Sequence, residues 1–143
     1  MSGSAIGDAI ITMLSAASAM GASAVSKDSK VLEIIAGSCC VVNWLGMNEK
    51  MSAFGNPTAK EIVWTHIIHG FVKDEGDANA ALQKVIGFPD TVVTTLRSDD
   101  TLQGTVEEVL AIRGKRDPEL AIRAGGATWL PVFFEVDSLE WPS

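Results

Sequence analysis

Residues 61–73 read Glu-Ile-Val-Trp-Thr-His-Ile-Ile-His-Gly-Phe-Val-Lys and form the longest strand-like run in this 143-residue chain. Successive side chains of a strand point to opposite faces. Both faces would carry mostly apolar side chains: Ile62, Trp64, His66, Ile68 and Val72 on one, and Val63, Thr65, Ile67, His69 and Phe71 on the other. We therefore expect a central strand that helices cover on one side and that a second layer or a neighbouring subunit covers on the other.

The residues after this run predict a helix that packs back on the sheet. Residues 74–77 (Asp-Glu-Gly-Asp) form a polar turn, and Asp77 is a suitable N-cap for a helix that extends to about Ser98. Its predicted apolar stripe comprises Ala78, Ala81, Leu82, Val85, Ile86, Val92, Val93 and Leu96. Pro89 cannot continue the hydrogen-bond ladder of a helix, so we expect a kink or a restart there.

The C-terminal third predicts three further strands. Residues 105–113 are rich in β-branched and aliphatic side chains, and residues 119–124 and 128–139 predict a hairpin around Gly125-Gly126. Pro131 has no N–H to donate, so the last strand should lie at a sheet edge or contain a bulge near its start.

The segments before the central strand predict one helix and two short strands. Residues 5–19 have apolar side chains at helical spacing, residues 21–29 predict a loop, and residues 31–35 and 39–45 predict strands. Residues 46–60 contain two Gly, two Asn and one Pro, and they predict a long protruding loop. Met47, Met51 and Phe54 lie within it, and they either fold back onto their own domain or dock on another chain.

This order of elements predicts a single α+β domain over residues 1–143. A mixed or mainly antiparallel sheet would carry the N-terminal helix and the central kinked helix on one face. The chain is long enough to bury a core without disulfides or metals. Cys39 and Cys40 are adjacent, so in a strand they would point to opposite faces and are expected to be reduced.

Composition excludes some classes of protein. The formal net charge is −7 with 11 basic residues, which argues against a surface that grips a phosphate backbone. The chain has no tyrosine, and its basic residues are not interleaved with aromatics as in a nucleic-acid stacking platform. The apolar N-terminal segment lacks a basic region before it, because the first lysine is Lys27, so we expect an amphipathic helix and neither a signal peptide nor a membrane span.

Signals of catalysis are scarce. His66 and His69 are three residues apart, which in a strand sends them to opposite faces, so each is expected to be a hydrogen-bonded structural histidine. The carboxylates at residues 74–77 and 99–100 fall at predicted turns or helix ends, where capping is their usual role. No motif for a metal, a nucleotide or a nucleophile is present, and the sequence predicts no catalytic residue, cofactor or metal site.

Large apolar side chains are more numerous than one small core requires, which favours contacts with other chains. We expect the interface residues to be Trp44, Met47, Met51, Phe54, Trp129 and Trp141, with the acidic turn residues Asp74, Glu75 and Asp77 at a boundary between chains.

A pattern across residues 71–136 resembles a known family. Residues 71–77 (Phe-Val-Lys-Asp-Glu-Gly-Asp) end a long strand, and a helix with Ala81-Leu-Gln-Lys-Val-Ile86 and Val92-Val-Thr-Thr-Leu-Arg97 follows. Residues 99–106 (Asp-Asp-Thr-Leu-Gln-Gly-Thr-Val) lead into the next strand, and residues 124–136 (Ala-Gly-Gly-Ala-Thr-Trp-Leu-Pro-Val-Phe-Phe-Glu-Val) close the chain. In these features the sequence resembles the tail terminator, or tail-completion, proteins of long-tailed bacteriophages and gene transfer agents.

The resemblance implies a structural virion protein at the head-proximal end of the tail, assembled in the host cytoplasm. A homohexamer ring would cap the tail tube, end its polymerisation and offer a docking face to a neck or head-completion protein. DNA would pass through the lumen without specific binding. The family implies no membrane contact, cofactor or catalytic residue.

Two alternatives remain. A neck connector or head-completion protein of the same particle would have a similar sequence. A small hydrolase or ligand-binding domain would use His66 or His69 with nearby carboxylates and would require a histidine with a perturbed pKa in a pocket.

Overall fold

The computed structural model describes residues 3–16, 25–27, 39–51, 60–74, 76, 78–116, 121–124 and 126–141. The elements are α1 (Gly3–Ala16), β1 (Val25–Lys27), β2 (Cys39–Met51), β3 (Lys60–Asp74), α2 (Ala78–Arg97), β4 (Glu108–Lys115), β5 (Ile122–Ala124) and β6 (Ala127–Glu140). This confirms the predicted α+β class.

The strands form one mixed sheet in the order β1-β2-β3-β6-β4, and β5 also pairs with β6. β1 is parallel to β2, while every other pair is antiparallel. β3 pairs with β2 from Lys60 to Phe71 and with β6 from Ile62 to Asp74. The long apolar run of residues 61–73 is therefore a central strand, as its sequence predicts.

Both helices pack on the same face of the sheet and close a single core. α1 buries Ile6, Ile10 and Leu14, and α2 buries Val85, Phe88 and Val92. The strands bury Val42, Ile68, Val72, Val132, Phe134 and Val136 against them. Fully burying one such aliphatic or aromatic side chain stabilises the fold by about 1.5–3 kcal/mol, so this layer supplies the main favourable contribution to folding.

Gly70 allows α2 to approach the sheet closely. A Cβ added at Gly70 would overlap the ring of Phe88 and lie 2.9 Å from Cγ1 of Val132. The Phe88 ring meets Phe134 edge to face, with 5.4 Å between the ring centroids. The absence of a side chain at residue 70 thus lets an aromatic ring rest on the backbone of β3.

α2 runs unbroken from Ala78 to Arg97 with Pro89 inside it, so the helix does not end and restart at the proline. Phe88 and Val92, on either side of the proline, are 2% and 0% exposed. Core packing on both sides therefore offsets the cost of about 3 kcal/mol that a proline in a helix interior carries.

The prediction of a loop over residues 46–60 is wrong at both of its ends. β2 continues to Met51 and β3 begins at Lys60, with Met47 opposite Trp64 and Glu49 opposite Ile62. The strand continues past Gly46 because the register shifts between Trp44 and Gly46. Such a bulge absorbs one extra residue without ending the pairing. Phe54 lies outside the described residues.

Other element boundaries also differ from expectation. The predicted loop of residues 21–29 contains β1, and the predicted strand of residues 31–35 lies outside the described part of the chain. β4 begins at Glu108, three residues after the predicted start, because a turn precedes it. In that turn Leu102 and Gln103 have positive φ angles of 46° and 59°, and the Leu102 side chain is fully buried.

Pro131 lies in a central strand, where the sequence predicts either a sheet edge or a bulge, and its pairing with β3 is regular. On one side β6 pairs with β3, and Pro131 is opposite Phe71. On the other side β4 pairs with residues 133–139 and β5 with residues 127–129. Residues 130–132 therefore have no ladder partner on that side within the described residues, and this gap accommodates a residue without an N–H.

Candidate interaction surfaces

An apolar groove lies where the first turn of α1 meets β2 and β3. We call it the Trp44 groove; its cavity of about 460 Å³ is lined by Gly3, Ser4, Gly7, Trp44, Met47, Trp64 and His66. The strand register places Trp44 opposite His66 and Met47 opposite Trp64, so these four side chains share the helix-bearing face of the sheet.

His66 fixes α1 at the floor of this groove. Its Nε2 lies 2.8 Å from the carbonyl oxygen of Gly3, and the side chain is 1% exposed. A carbonyl can only accept, so Nε2 carries the proton and donates it. A Cβ at Gly3 would come within 2.9 Å of Cζ3 of Trp64, so glycine permits the close approach of helix and strand. His66 is thus a hydrogen-bonded structural histidine, as predicted.

Two predicted interface residues form the rim of the Trp44 groove. Trp44 is 56% exposed and Met47 is 45% exposed, whereas Trp64 is half-buried between the groove and the core. Met51 is the last residue of β2, and its side chain lies outside the described part. β2 therefore presents large apolar side chains to solvent.

The acidic turn and the C-terminal aromatics have different environments. Oδ1 of Asp74 accepts a hydrogen bond from the N–H of Gly76 at 3.0 Å, which closes a turn where Gly76 has a φ of 101°. Glu75 and Asp77 lie outside the described residues. Trp141 follows β6 directly and is 43% exposed.

Trp129 does not form a surface, which corrects its predicted place at an interface. The side chain is fully buried in β6, opposite Lys73 of β3 and Ile122 of β5. Nζ of Lys73 lies 5.9 Å from the centroid of the Trp129 ring. Trp129 is therefore an internal residue of this fold.

The second face of the sheet has no helix against it in the described part of the chain. Ile67, His69 and Phe133 are half-buried there. The His69 ring stacks on Phe71 at 6.1 Å and meets Phe133 edge to face at 5.2 Å. Burial lowers the pKa of His69, because an apolar environment disfavours the charged imidazolium. His66 and His69 occupy opposite faces, as the strand parity predicts.

Polar side chains border this second face along β4 and β6. The guanidinium of Arg113 donates to Glu135 at 2.9 Å and to Asp137 at 2.7 Å, and Thr65 Oγ1 donates to Asp137 at 2.8 Å. The hydrogen bond from Arg113, followed by that from Thr65, lowers the pKa of Asp137. An open cavity of about 500 Å³ lies beside Arg113, Phe133 and Ile67.

A second exposed apolar surface lies on α2, and the sequence analysis missed it. We call it the Ile86 stripe: Ile86, Pro89 and Val93, spaced to lie on one side of the helix. Ile86 is 55% and Val93 40% exposed, although both were predicted to belong to the core stripe. Neighbouring residues of a helix point about 100° apart, so a narrower predicted apolar stripe would have excluded Ile86 and Val93. Val85 and Val92, each one residue earlier, are the buried members of the stripe.

No protein-family model matches this chain, and no curated protein matches it with significant similarity. Within the described ranges, no three His, Cys, Asp or Glu side chains come together as metal ligands. No described helix is both long and apolar enough to cross a membrane.

Proposed function

We propose that this chain is a structural subunit of a ring that caps a phage-type tail tube. The observation that carries the proposal is the number of large apolar side chains left at the surface once the core is closed. Trp44, Met47 and Trp141, which the sequence places at contacts with other chains, are each more than 40% exposed. Exposed aromatic and methionine side chains of this kind are enriched where protein surfaces meet.

The fold supports the same proposal. The resemblance to tail terminators rests on the order helix, strands, long central strand, helix, strand and terminal hairpin, and the chain folds in that order.

The second face of the sheet provides a further surface for partners. Its apolar centre at Ile67, His69 and Phe133 is bordered by the charged side chains of Arg113, Glu135 and Asp137. An apolar centre with a polar rim is the usual anatomy of a protein interface. In the proposed ring, such a surface would meet either the tail-tube protein or a neck or head-completion protein.

The net charge of −7 per chain suits a ring through which DNA moves. Six copies of an acidic subunit would repel the phosphate backbone and would not hold it in transit. In this proposal the genome passes through the lumen without specific binding.

Light scattering of the purified protein, with and without the tail-tube protein of the same particle, tests the proposal. We expect a ring-sized mass, either alone or once tube protein is added. A chain that stays monomeric and does not bind tube ends would overturn it. Labelled particles viewed by electron microscopy then separate a terminator, located at the tube end, from a connector located at the portal.

A further inference from the structure

We infer that the Ile86 stripe of one subunit docks in the Trp44 groove of the next, so that the chain assembles head to tail through two different surfaces. The inference rests on the proposed ring for its biological setting. The contact itself follows from the positions, the shape and the charges of the two surfaces.

The Ile86 stripe lies on the β4 side of the molecule. Ile86 and Pro89 border a cavity of about 300 Å³ together with Lys115 and Arg116, at the end of β4. The opposite side of α2 faces α1, since Thr95 and Ser98 share a cavity with Thr12 and Met13. The stripe is therefore on the flank of α2 that faces away from α1.

The Trp44 groove lies on the other side, over β2 and β3 and beside α1. Because the sheet order is β1-β2-β3-β6-β4, β2 and β4 belong to opposite halves of the sheet. One apolar surface is thus a recess at one side of the subunit, and the other is a ridge on a helix at the far side. A recess and a ridge at opposite sides fit a repeating contact between copies.

A basic side chain lies beside the stripe, and acidic side chains lie beside the groove. Arg116 borders the stripe at the end of β4, whereas Lys115 is opposite Phe133 and so belongs to the second face of the sheet. Glu49 lies two residues beyond Met47 on the same strand face, and Asp8 is exposed on α1 one turn after Ser4. Asp90 is also near the stripe, on the solvent side of α2. Docking would bring Arg116 toward Asp8 and Glu49 beside the groove, which favours one orientation of the two copies.

The groove can accept a helix ridge because glycine provides much of its wall. Gly3 and Gly7 line it without side chains, while Trp44 and Met47 stand at its rim. Ile86 or Val93 would then be enclosed between an indole ring and a helix backbone. Such a site, in which an aliphatic anchor enters a pocket with an aromatic rim, is typical of the energetic centre of an interface.

A contact between two different surfaces makes a specific prediction that a two-fold contact does not. An open assembly keeps one unused surface at each end and can add further copies, and it closes into a ring when the rotation between neighbouring copies allows closure. A subunit with only its groove blocked can still offer its stripe, and a subunit with only its stripe blocked can still offer its groove.

The test uses Trp44→Lys to block the groove and Ile86→Glu to block the stripe. Both side chains are more than half exposed, so neither change should impair folding, which circular dichroism checks. The ammonium group introduced into the groove would repel Arg116 of the next copy, and the carboxylate introduced into the stripe would repel Asp8 and Glu49. In sedimentation velocity each variant alone should be monomeric at concentrations where the unaltered chain self-associates. An equimolar mixture should form a species of about twice the 15.1 kDa chain mass and no larger.

Asn48→Arg and Thr94→Arg are the matched controls. Asn48 is exposed next to Met47 but on the other face of the sheet, and Thr94 is exposed next to Val93 but off the stripe. Both controls should associate as the unaltered chain does. Assembly of either blocked variant alone, or a mixture that stays monomeric while the unaltered chain associates, would overturn the inference.

The outcomes separate this inference from the proposed function. A chain that assembles by this contact but ignores tube ends would overturn the tail function and leave the head-to-tail contact standing. A chain that binds tube ends but fails the mixing test would do the reverse. An unaltered chain that is monomeric at every concentration, with or without tube protein, would overturn both.

Discussion

His69 and Asp137 lie on the same face of the sheet, and protonation of either group at low pH lowers the stability of the folded protein. Burial lowers the pKa of His69 below its ordinary value of 6.5, and Arg113 lowers the pKa of Asp137 below 3.8. Each group therefore binds a proton more readily in the unfolded chain than in the folded one. Its contribution to stability is fully present above the unfolded-state pKa and is lost as the pH falls through the folded-state pKa.

We expect the loss of stability on acidification to have two separable parts. Between pH 7 and about 5, the decrease in melting temperature should become smaller in His69→Leu, because the unfolded chain no longer gains a proton at residue 69. Below about pH 4, the decrease should become smaller in Asp137→Asn. Thermal melts of the three proteins at pH 7, 5 and 3 measure this. An unchanged melting temperature difference between pH 7 and 5 in His69→Leu would contradict the expected role of His69.

The alternation of side chains along a strand was sufficient to assign His66 and His69 to opposite faces of the sheet. It was not sufficient to predict that Trp129 is buried. The positions of the two histidines follow from the alternation of a single strand, which is a local property. Trp129 is opposite Lys73 of β3, which is distant in the chain, as well as Ile122 of the neighbouring β5, so the alternation within β6 alone does not encode its burial. The bond from His66 to Gly3 spans 63 residues and was equally invisible from the sequence.

Element boundaries were predictable where Gly or polar turn residues coincide with the end of a packed segment, as for β3 and for the turn before β6. The predictions failed where tertiary contacts continue a strand or a helix past a Gly or a Pro. β2 passes through Gly46 because a bulge keeps it paired with β3, and α2 passes through Pro89 because the core holds Phe88 and Val92.

Gly70→Ala should destabilise the protein by about 1–3 kcal/mol, the usual cost of overpacking. The new methyl group would overlap the Phe88 ring, and α2 would have to move away from the sheet. Gly46→Ala is the control, because a Cβ there meets no atom within 4 Å. It should leave stability unchanged or raise it by about 0.4–1 kcal/mol, through a less flexible unfolded chain. Urea unfolding of both variants gives the two values, and equal losses would show that the Gly70 contact is not the cause.

In the whole molecule, the helices cover one face of the sheet to form the core, and three apolar surfaces remain outside this core. These surfaces are the Trp44 groove, the Ile86 stripe and the second face around His69. The excess of apolar residues was visible in the composition, but its distribution over these three surfaces required the packing of both helices.

Trp64→Ala should separate the stability of the subunit from its assembly. Trp64 packs partly on the core and partly lines the groove, so its loss should cost less than the ~3–5 kcal/mol of a fully buried aromatic residue. Self-association should decrease more than that of Asn48→Arg. Urea unfolding at a concentration where the chain is monomeric, with sedimentation velocity on the same samples, measures both quantities. A loss in the full core range with normal association would place Trp64 in the core alone.

Tryptophan fluorescence can report whether the Trp44 groove is covered. The protein has four tryptophans and no tyrosine, so its near-ultraviolet emission comes from indole rings in different environments. Trp44 is mostly in water and Trp129 is fully enclosed, while Trp141, directly after β6, is partly exposed. In a Trp141→Phe background, a neighbour that covers the groove should shift the emission to shorter wavelength with concentration, while unfolding should shift it to longer wavelength. One unlabelled sample would then distinguish a subunit that joins its neighbours from one that loses its fold.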